Sequence, residues 1–221
     1  MGGRGASYFK QKFISYFSSR QKRGVEHPVD IKKYQDWSLE KIEGHIRQLD
    51  HEELFALDAN DKPIAVYKGT KTQVAFPISL LNEEGATVTH GHPKGAAEFG
   101  GTFSFADVYN MAESKWKEHR ATASGQGEMN YIMKRNSKSN TKRDRALISR
   151  IQKDEKKVMG SASDAYSKKY KEAIQSGKTQ KQAIHLARQE AVGEIDKYWA
   201  NTLPKYGIDY IKRKKNYKYG R

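Results

Sequence analysis

A change of hydrophobic period near Met133 constrains this chain more than any other feature. Before it, short apolar runs such as Leu54–Asp58, Ile64–Tyr67 and Ala86–Thr89 are separated by turn-forming residues, the signature of strands. After it, apolar residues recur at helical spacing through Leu147, Ile148, Ile151 and Val158, and again through Ile184, Ala187, Ala191, Ile195, Tyr198 and Trp199. Strands and short helices before it, and helices alone after it, point to an α+β fold with a basic C-terminal helical extension.

The same division sorts the charge. Residues 134–221 hold 24 Lys and Arg against 9 Asp and Glu, and residues 1–35 hold 8 against 2. The stretch 36–133 is mildly acidic, with 9 against 15. Three segments are therefore expected: a basic N-terminal arm over 1–35, an α+β domain over 36–133, and a basic helical extension and tail over 134–221. The partner implied by the charge belongs to the arms, and nucleic acid, an acidic protein or an anionic membrane face all suit it.

Absences narrow the chemistry. The chain has no cysteine, so disulfides, zinc knuckles and thiol catalysis are excluded, and a metal ion must be held by His and carboxylates. No apolar run approaches the roughly 18–20 residues of a membrane span. Lys10, Gln11 and Lys12 interrupt Tyr8–Phe17, which rules out a secretory signal. A soluble, cytoplasmic protein is the expectation.

Local patterns place the elements. Phe9, Phe13 and Phe17 recur every four residues and predict a short aromatic-faced helix that docks on its own domain or on a partner, a membrane surface being the alternative. Ser38 caps a helix over 38–50, with Trp37 and Ile42 as its hydrophobic staple. Ala59-Asn60-Asp61-Lys62 turns a first hairpin. Thr72–Phe76 is a further candidate strand, and Ile78–Leu81 one helical turn. A helix is expected over about 105–117, and a hairpin Arg120–Ser124/Asn130–Met133 through Gly125-Gln126-Gly127. Beyond a polar stretch at 134–145, two helices are expected before Gly177, where a helix stop would sit. Thr179 and Gln182 then open a third helix with a capping box.

The chemistry-bearing segment is Thr89-His90-Gly91-His92-Pro93, followed by Ser104-x-x-Asp107. Residues i and i+2 of a strand face the same side, so two imidazoles can converge on one ion, and Asp107 in the next helix can add a carboxylate. Two His and one Asp leave a zinc ion an open position, as in catalytic rather than structural sites. Glu52 and Glu53 are the nearest candidates for a general base. Ser104 suits either an oxyanion contact or the orientation of Asp107. Plainer explanations stand beside these: most His-x-His pairs bind nothing, Ser104-x-x-Asp107 is also a capping box, and the two glutamates suit a strand entry.

From Glu52 to Asp107 the sequence resembles the JAB/MPN metallo-isopeptidase superfamily, in particular its RadC-like branch. The resemblance lies in Glu52-Glu-Leu-Phe-Ala-Leu-Asp58, Lys68-Gly-Thr70, Ala86-Thr-Val-Thr-His90-Gly-His92-Pro93-x-Gly95 and Phe103-Ser104-x-x-Asp107. It implies a mixed β-sheet flanked by helices, Zn²⁺ held by His90, His92 and Asp107, catalytic roles for Glu52 (with Glu53 close behind) and Ser104, and hydrolysis of a peptide or isopeptide bond. The spacer Pro93–Phe103, at eleven residues, is longer than the family's usual one; it is Gly-rich, holds Glu98 and suits either a mobile lid or a displacement of Ser104 and Asp107 from the family's geometry. Met1-Gly-Gly-Arg-Gly-Ala-Ser7 resembles the start of short phage and mobile-element proteins, which would place the chain in a host cytoplasm or a virion.

The tail Lys212-Arg213-Lys214-Lys215-Asn-Tyr217-Lys218 interleaves cations with tyrosine, a composition that neutralises phosphates and stacks on bases. The alternative to a hydrolase is therefore a non-enzymatic nucleic-acid- or protein-binding factor, such as a phage virion or anti-defence protein, built on a RadC-like scaffold.

Overall fold

The computed structural model describes residues 25–93, 101–123 and 129–214. Six strands form one mixed sheet: β1 (Glu53–Leu57), β2 (Pro63–Lys68), β3 (Thr87–His92), β4 (Glu118–Ala123), β5 (Met129–Arg135) and β6 (Ile208–Lys214), in the order β2-β1-β3-β4-β5-β6. Among these pairs only β3 and β4 run parallel. Their connection passes through α2 (Phe105–Glu113), as parallel neighbours require a crossover. The other described α-helices are α1 (Leu39–Ile46), α3 (Thr141–Gln175) and α4 (Gln180–Thr202). None of the described helices is long and apolar enough to cross a membrane.

Both sheet faces are covered, which explains why every residue of β1 and β3 is buried. Leu54, Ala56, Val88, Ala121 and Met133 face a core built with α2, α3 and α4. Phe55, Leu57 and Val66 face the other way, onto Ile42 and Ile46 of α1 and onto Tyr34. Ser38 caps α1 by accepting from the Lys41 N–H at 3.3 Å. Gly91 is where α1 comes closest: a Cβ there would lie 2.5 Å from Ile46 Cγ2. The glycine between the two histidines is thus a packing requirement of the opposite face.

Several expectations change. Thr72–Phe76 is not a strand. On one side β2 pairs with β1, and on the other Val29 N–H donates to the Val66 carbonyl at 2.9 Å and Lys68 N–H to the His27 carbonyl at 2.9 Å. No ladder position remains beside β2, and Val74 and Phe76 pack as loop residues against the larger core. The helix at 38–50 ends at Ile46, and that at 105–117 ends at Glu113. The two helices expected before Gly177 are one, α3: Ala162 and Ser163, between the apolar sets ending at Val158 and starting at Tyr166, are buried side chains of a continuous stripe. Gly160 and Ser161 are exposed, and a Cβ on Gly160 would meet nothing within 4 Å, so neither interrupts the stripe. Gly177 follows the helix with φ +79°, a left-handed stop open to glycine.

The tail supplies an edge strand. Ile208–Lys214 pairs antiparallel with β5 over seven residues, and its cations suit a sheet edge that must resist further pairing. Leu147, Ile151, Ala187, Trp199 and Ile208 pack into the same core as Val88 and Ala121. The compositional break at residues 133/134 is therefore not a break in the core, because the apolar stripes of α3 and α4 cover a sheet face. At the other end, Tyr34 is fully buried under α1, so the last part of the expected arm belongs to the domain. The aromatic helix at Phe9–Phe17, the Gly125-Gln126-Gly127 turn and the segment around Glu98 lie outside the described residues.

Candidate metal centre

Strand alternation carries His90 and His92 to the same face of β3, toward the larger core. Both rings are buried, and their Nε2 atoms lie 3.0 Å apart. Asp107, on the first turn of α2, brings Oδ1 to 3.4 Å from His90 Nε2 and Oδ2 to 4.0 Å from His92 Nε2. One ligand atom from each residue falls within 4.8 Å of the others. A tetrahedral zinc sphere with bonds near 2.0–2.1 Å has edges of about 3.3 Å. The three donors are thus spaced as neighbours around one ion, and this buried group could hold a metal.

The remaining ring atoms are tied down. His92 Nδ1 lies 2.8 Å from the Gly101 carbonyl, which can only accept, so Nδ1 carries the proton and Nε2 presents a lone pair. Asp107 is set by the capping box at the start of α2. Its Oδ2 accepts from the Ser104 N–H and Oγ–H, each at 2.7 Å, and its own N–H donates to Ser104 Oγ at 3.2 Å. The capping interpretation and the ligand interpretation of Ser104-x-x-Asp107 are therefore one arrangement: the cap occupies Oδ2 and leaves Oδ1 turned toward the imidazoles.

Burial and the adjacent His90 push His92 down to about 4. For Asp107, burial works against the charged form, but the His90, His119 and His92 rings and the Ser104 hydrogen bond outweigh it and hold the carboxyl below its usual range. At neutral pH a neutral His92 and an ionised Asp107 are the forms that bind a cation. Of the three side chains only Asp107, 16% exposed, retains access to solvent.

The two glutamates part company. Leu54 pairs with His90, and continuing that register by two residues sets Glu52 opposite His92 on the same face. Glu52 is buried, and its backbone is fixed by its N–H to the Thr70 carbonyl and its carbonyl to the Gly69 N–H, each at 2.7 Å. Glu53 faces α1 instead, where Oε2 lies 3.1 Å from His45 Nε2 and Oε1 3.5 Å from His51 Nε2. A one-residue step along a strand separates the two faces.

A third histidine, absent from the sequence motif, completes the buried group. His119 Nε2 lies 3.2 Å from His90 Nδ1, and its ring packs against Phe103 and Trp116 at centroid distances of 5.4 and 5.2 Å. Burial and His90 push it down to about 3. Nothing local marks it: His119 shares the His90 face only because β4 pairs in parallel with β3, with Val88 opposite it.

The predicted phosphate-binding cations do not cluster here. Lys212 pairs with Asp196 of α4 at 2.6 Å, while Arg213 and Lys214 are exposed on β6. Lys215, Tyr217 and Lys218 lie outside the described residues. No family model, curated protein or solved structure matches the chain.

Proposed function

We propose that the chain is a zinc-dependent hydrolase of the JAB/MPN type that cleaves a peptide or isopeptide bond. The observation that supports it is the convergence of His90 Nε2, His92 Nε2 and Asp107 Oδ1 at the spacing of a coordination sphere, with Glu52 on the same face. Two neutral imidazoles and one carboxylate suit Zn²⁺ among common divalent ions. When bound, the ion supplies Lewis-acid polarisation of the scissile carbonyl and activation of a water.

The protein's own groups do the rest. Glu52 takes the proton from the attacking water and returns it to the leaving amine. Ser104 holds the carboxylate of Asp107 in place through its hydroxyl and amide, a positioning role in preference to an oxyanion contact, because Oγ is already engaged at 2.7 and 3.2 Å. Metal analysis of protein purified without chelators, beside the His90→Ala/His92→Ala variant, tests the proposal. About one zinc per chain in the parent alone, with chelator-sensitive peptidase activity, is expected. Absence of stoichiometric zinc from the parent overturns it.

A second proposal concerns the partner, and one observation favours nucleic acid. Lys142, Arg145, Lys153, Lys156 and Lys171 are exposed and fall within an arc of about 80° along roughly 44 Å of α3, at 100° and 1.5 Å per residue. Such a row suits phosphates in series. Binding to a DNA duplex whose log affinity falls linearly with log salt, flattened in a variant with these five changed to Glu, is the expected result. Retention only of acidic proteins, or no binding, contradicts it. This basic face also fits the non-enzymatic alternative, in which the sheet serves as scaffold alone.

A further inference from the structure

The liganding geometry leaves one demand unmet by the sequence motif. His92 is locked as a ligand by the Gly101 carbonyl, but His90 has no carbonyl or carboxylate at its Nδ1; it has His119. A metal-bound imidazole normally donates its second ring N–H to such a partner, which fixes both tautomer and ring orientation. We infer that His119 is the positioning residue of the metal centre, accepting the His90 Nδ1–H on its own Nε2 so that His90 Nε2 is held as a lone pair toward the ion. The inference rests on the metal-hydrolase proposal and adds a residue that its motif does not contain.

Three observations carry it. The Nε2–Nδ1 separation is 3.2 Å between two buried rings. The His119 ring is clamped by Phe103 and Trp116, and Trp116 is itself anchored by its indole N–H to the Leu80 carbonyl at 2.8 Å, so the acceptor cannot swing away. Finally, His119 Nδ1 is buried, and the Asp107 backbone acts on the ring as a hydrogen-bond acceptor. With Nε2 aimed at His90, that acceptor favours the proton on Nδ1 and leaves Nε2 to accept from His90.

Without an ion, the spacing accommodates one continuous chain of donors: His119 Nε2–H to His90 Nδ1, His90 Nε2–H to His92 Nε2 at 3.0 Å, and His92 Nδ1–H to Gly101. An ion held at His90 Nε2 would need that nitrogen as a lone pair, which would leave the His90 proton on Nδ1, with His119 Nε2 as its acceptor and the His119 proton on Nδ1. Three ring protons are present before and after. For three rings that each carry one proton, metal binding would reverse the His90–His119 hydrogen bond without net loss of a ring proton.

The test uses the full chain, zinc sulfate and a competing chromophoric chelator. His119→Phe keeps the ring volume and removes the acceptor, and a 10–100-fold rise in the zinc Kd is expected. His119→Gln, whose Oε1 falls near the Nε2 position, restores most of it. A purely structural role predicts lower stability in both variants with an unchanged zinc Kd, which overturns the inference. Imidazole ¹⁵N spectra of the parent protein provide a second measurement that is independent of variant folding. Zinc-loaded protein should show His90 and His119 both protonated at Nδ1, and a His119 that stays protonated at Nε2 overturns the inference. If the parent binds no zinc, the hydrolase proposal fails and takes this one with it. If it binds zinc and His119→Phe binds equally well, only the role of His119 fails.

Discussion

Replacing Ser104 by alanine separates two roles that the structure merges. Its Oγ accepts the Asp107 N–H, an N-cap contribution of about 1 kcal/mol, and donates to Asp107 Oδ2 at 2.7 Å. A hydrogen bond to a charged group contributes about 1.5–3 kcal/mol. The Ser104 backbone N–H still reaches Oδ2 at 2.7 Å, so part of the loss is recovered. A net destabilisation of about 2–3 kcal/mol follows for the metal-free protein. Urea unfolding in chelator measures it, as does a fall in Tm of roughly 4–12 °C at this chain length. The same change frees a ligand carboxylate, and the zinc Kd should rise about 10–100-fold, with Ser104→Thr close to the parent on both counts. A variant that loses the stability but binds zinc as the parent does would show that Ser104 caps α2 and nothing more. A variant with unchanged zinc affinity whose kcat alone collapses would restore the oxyanion role.

Other perturbations follow from the same geometry. His92 is held near 4 against an ordinary 6.5; as pH falls through that window the unfolded chain takes up the proton first. The metal-free protein therefore loses stability between about pH 6.5 and 4, on the order of 3 kcal/mol from this group, and urea titrations across that range should show a shallower slope in His92→Gln. Gly91→Ala forces a Cβ to 2.5 Å from Ile46 Cγ2 and should cost about 1–3 kcal/mol by overpacking; an unchanged denaturation midpoint contradicts the packing account. Glu52→Gln should bind zinc yet lose hydrolysis by about 100-fold or more, whereas Glu53→Gln, on the α1 face beside His45 and His51, should keep both zinc and turnover. Equal losses in the two variants would refute the assignment of faces.

What the sequence makes legible here is local. His90 and His92 are two apart in a strand, Ser104 and Asp107 three apart at a helix start, and both spacings translate directly into a shared face and a cap. Their meeting across an eleven-residue spacer depends on the packing of α2 against the sheet, which the family resemblance implied and periodicity alone does not. His119 and the choice between Glu52 and Glu53 depend on which strands pair and in what register, information spread over tens of residues. The edge strand Ile208–Lys214 is hidden for a related reason. Its outward cations imitate a solvated tail, and its strand character shows only in Ile208, buried beside β5, and in Tyr210 and Lys212, both bonded to Asp196 of α4. The division of α3 into two reflects the opposite error, since Ala162 and Ser163 between the two apolar sets are buried along one continuous helix.

The most direct measurement is anomalous diffraction at the zinc edge from crystals of the full chain grown with zinc sulfate. A single strong peak about 2.0–2.1 Å from His90 Nε2, His92 Nε2 and an Asp107 carboxylate oxygen, with His119 in hydrogen-bond contact behind His90, is the predicted result. No peak among these side chains, or zinc bound elsewhere while His90 and His92 remain 3.0 Å apart, would contradict the account.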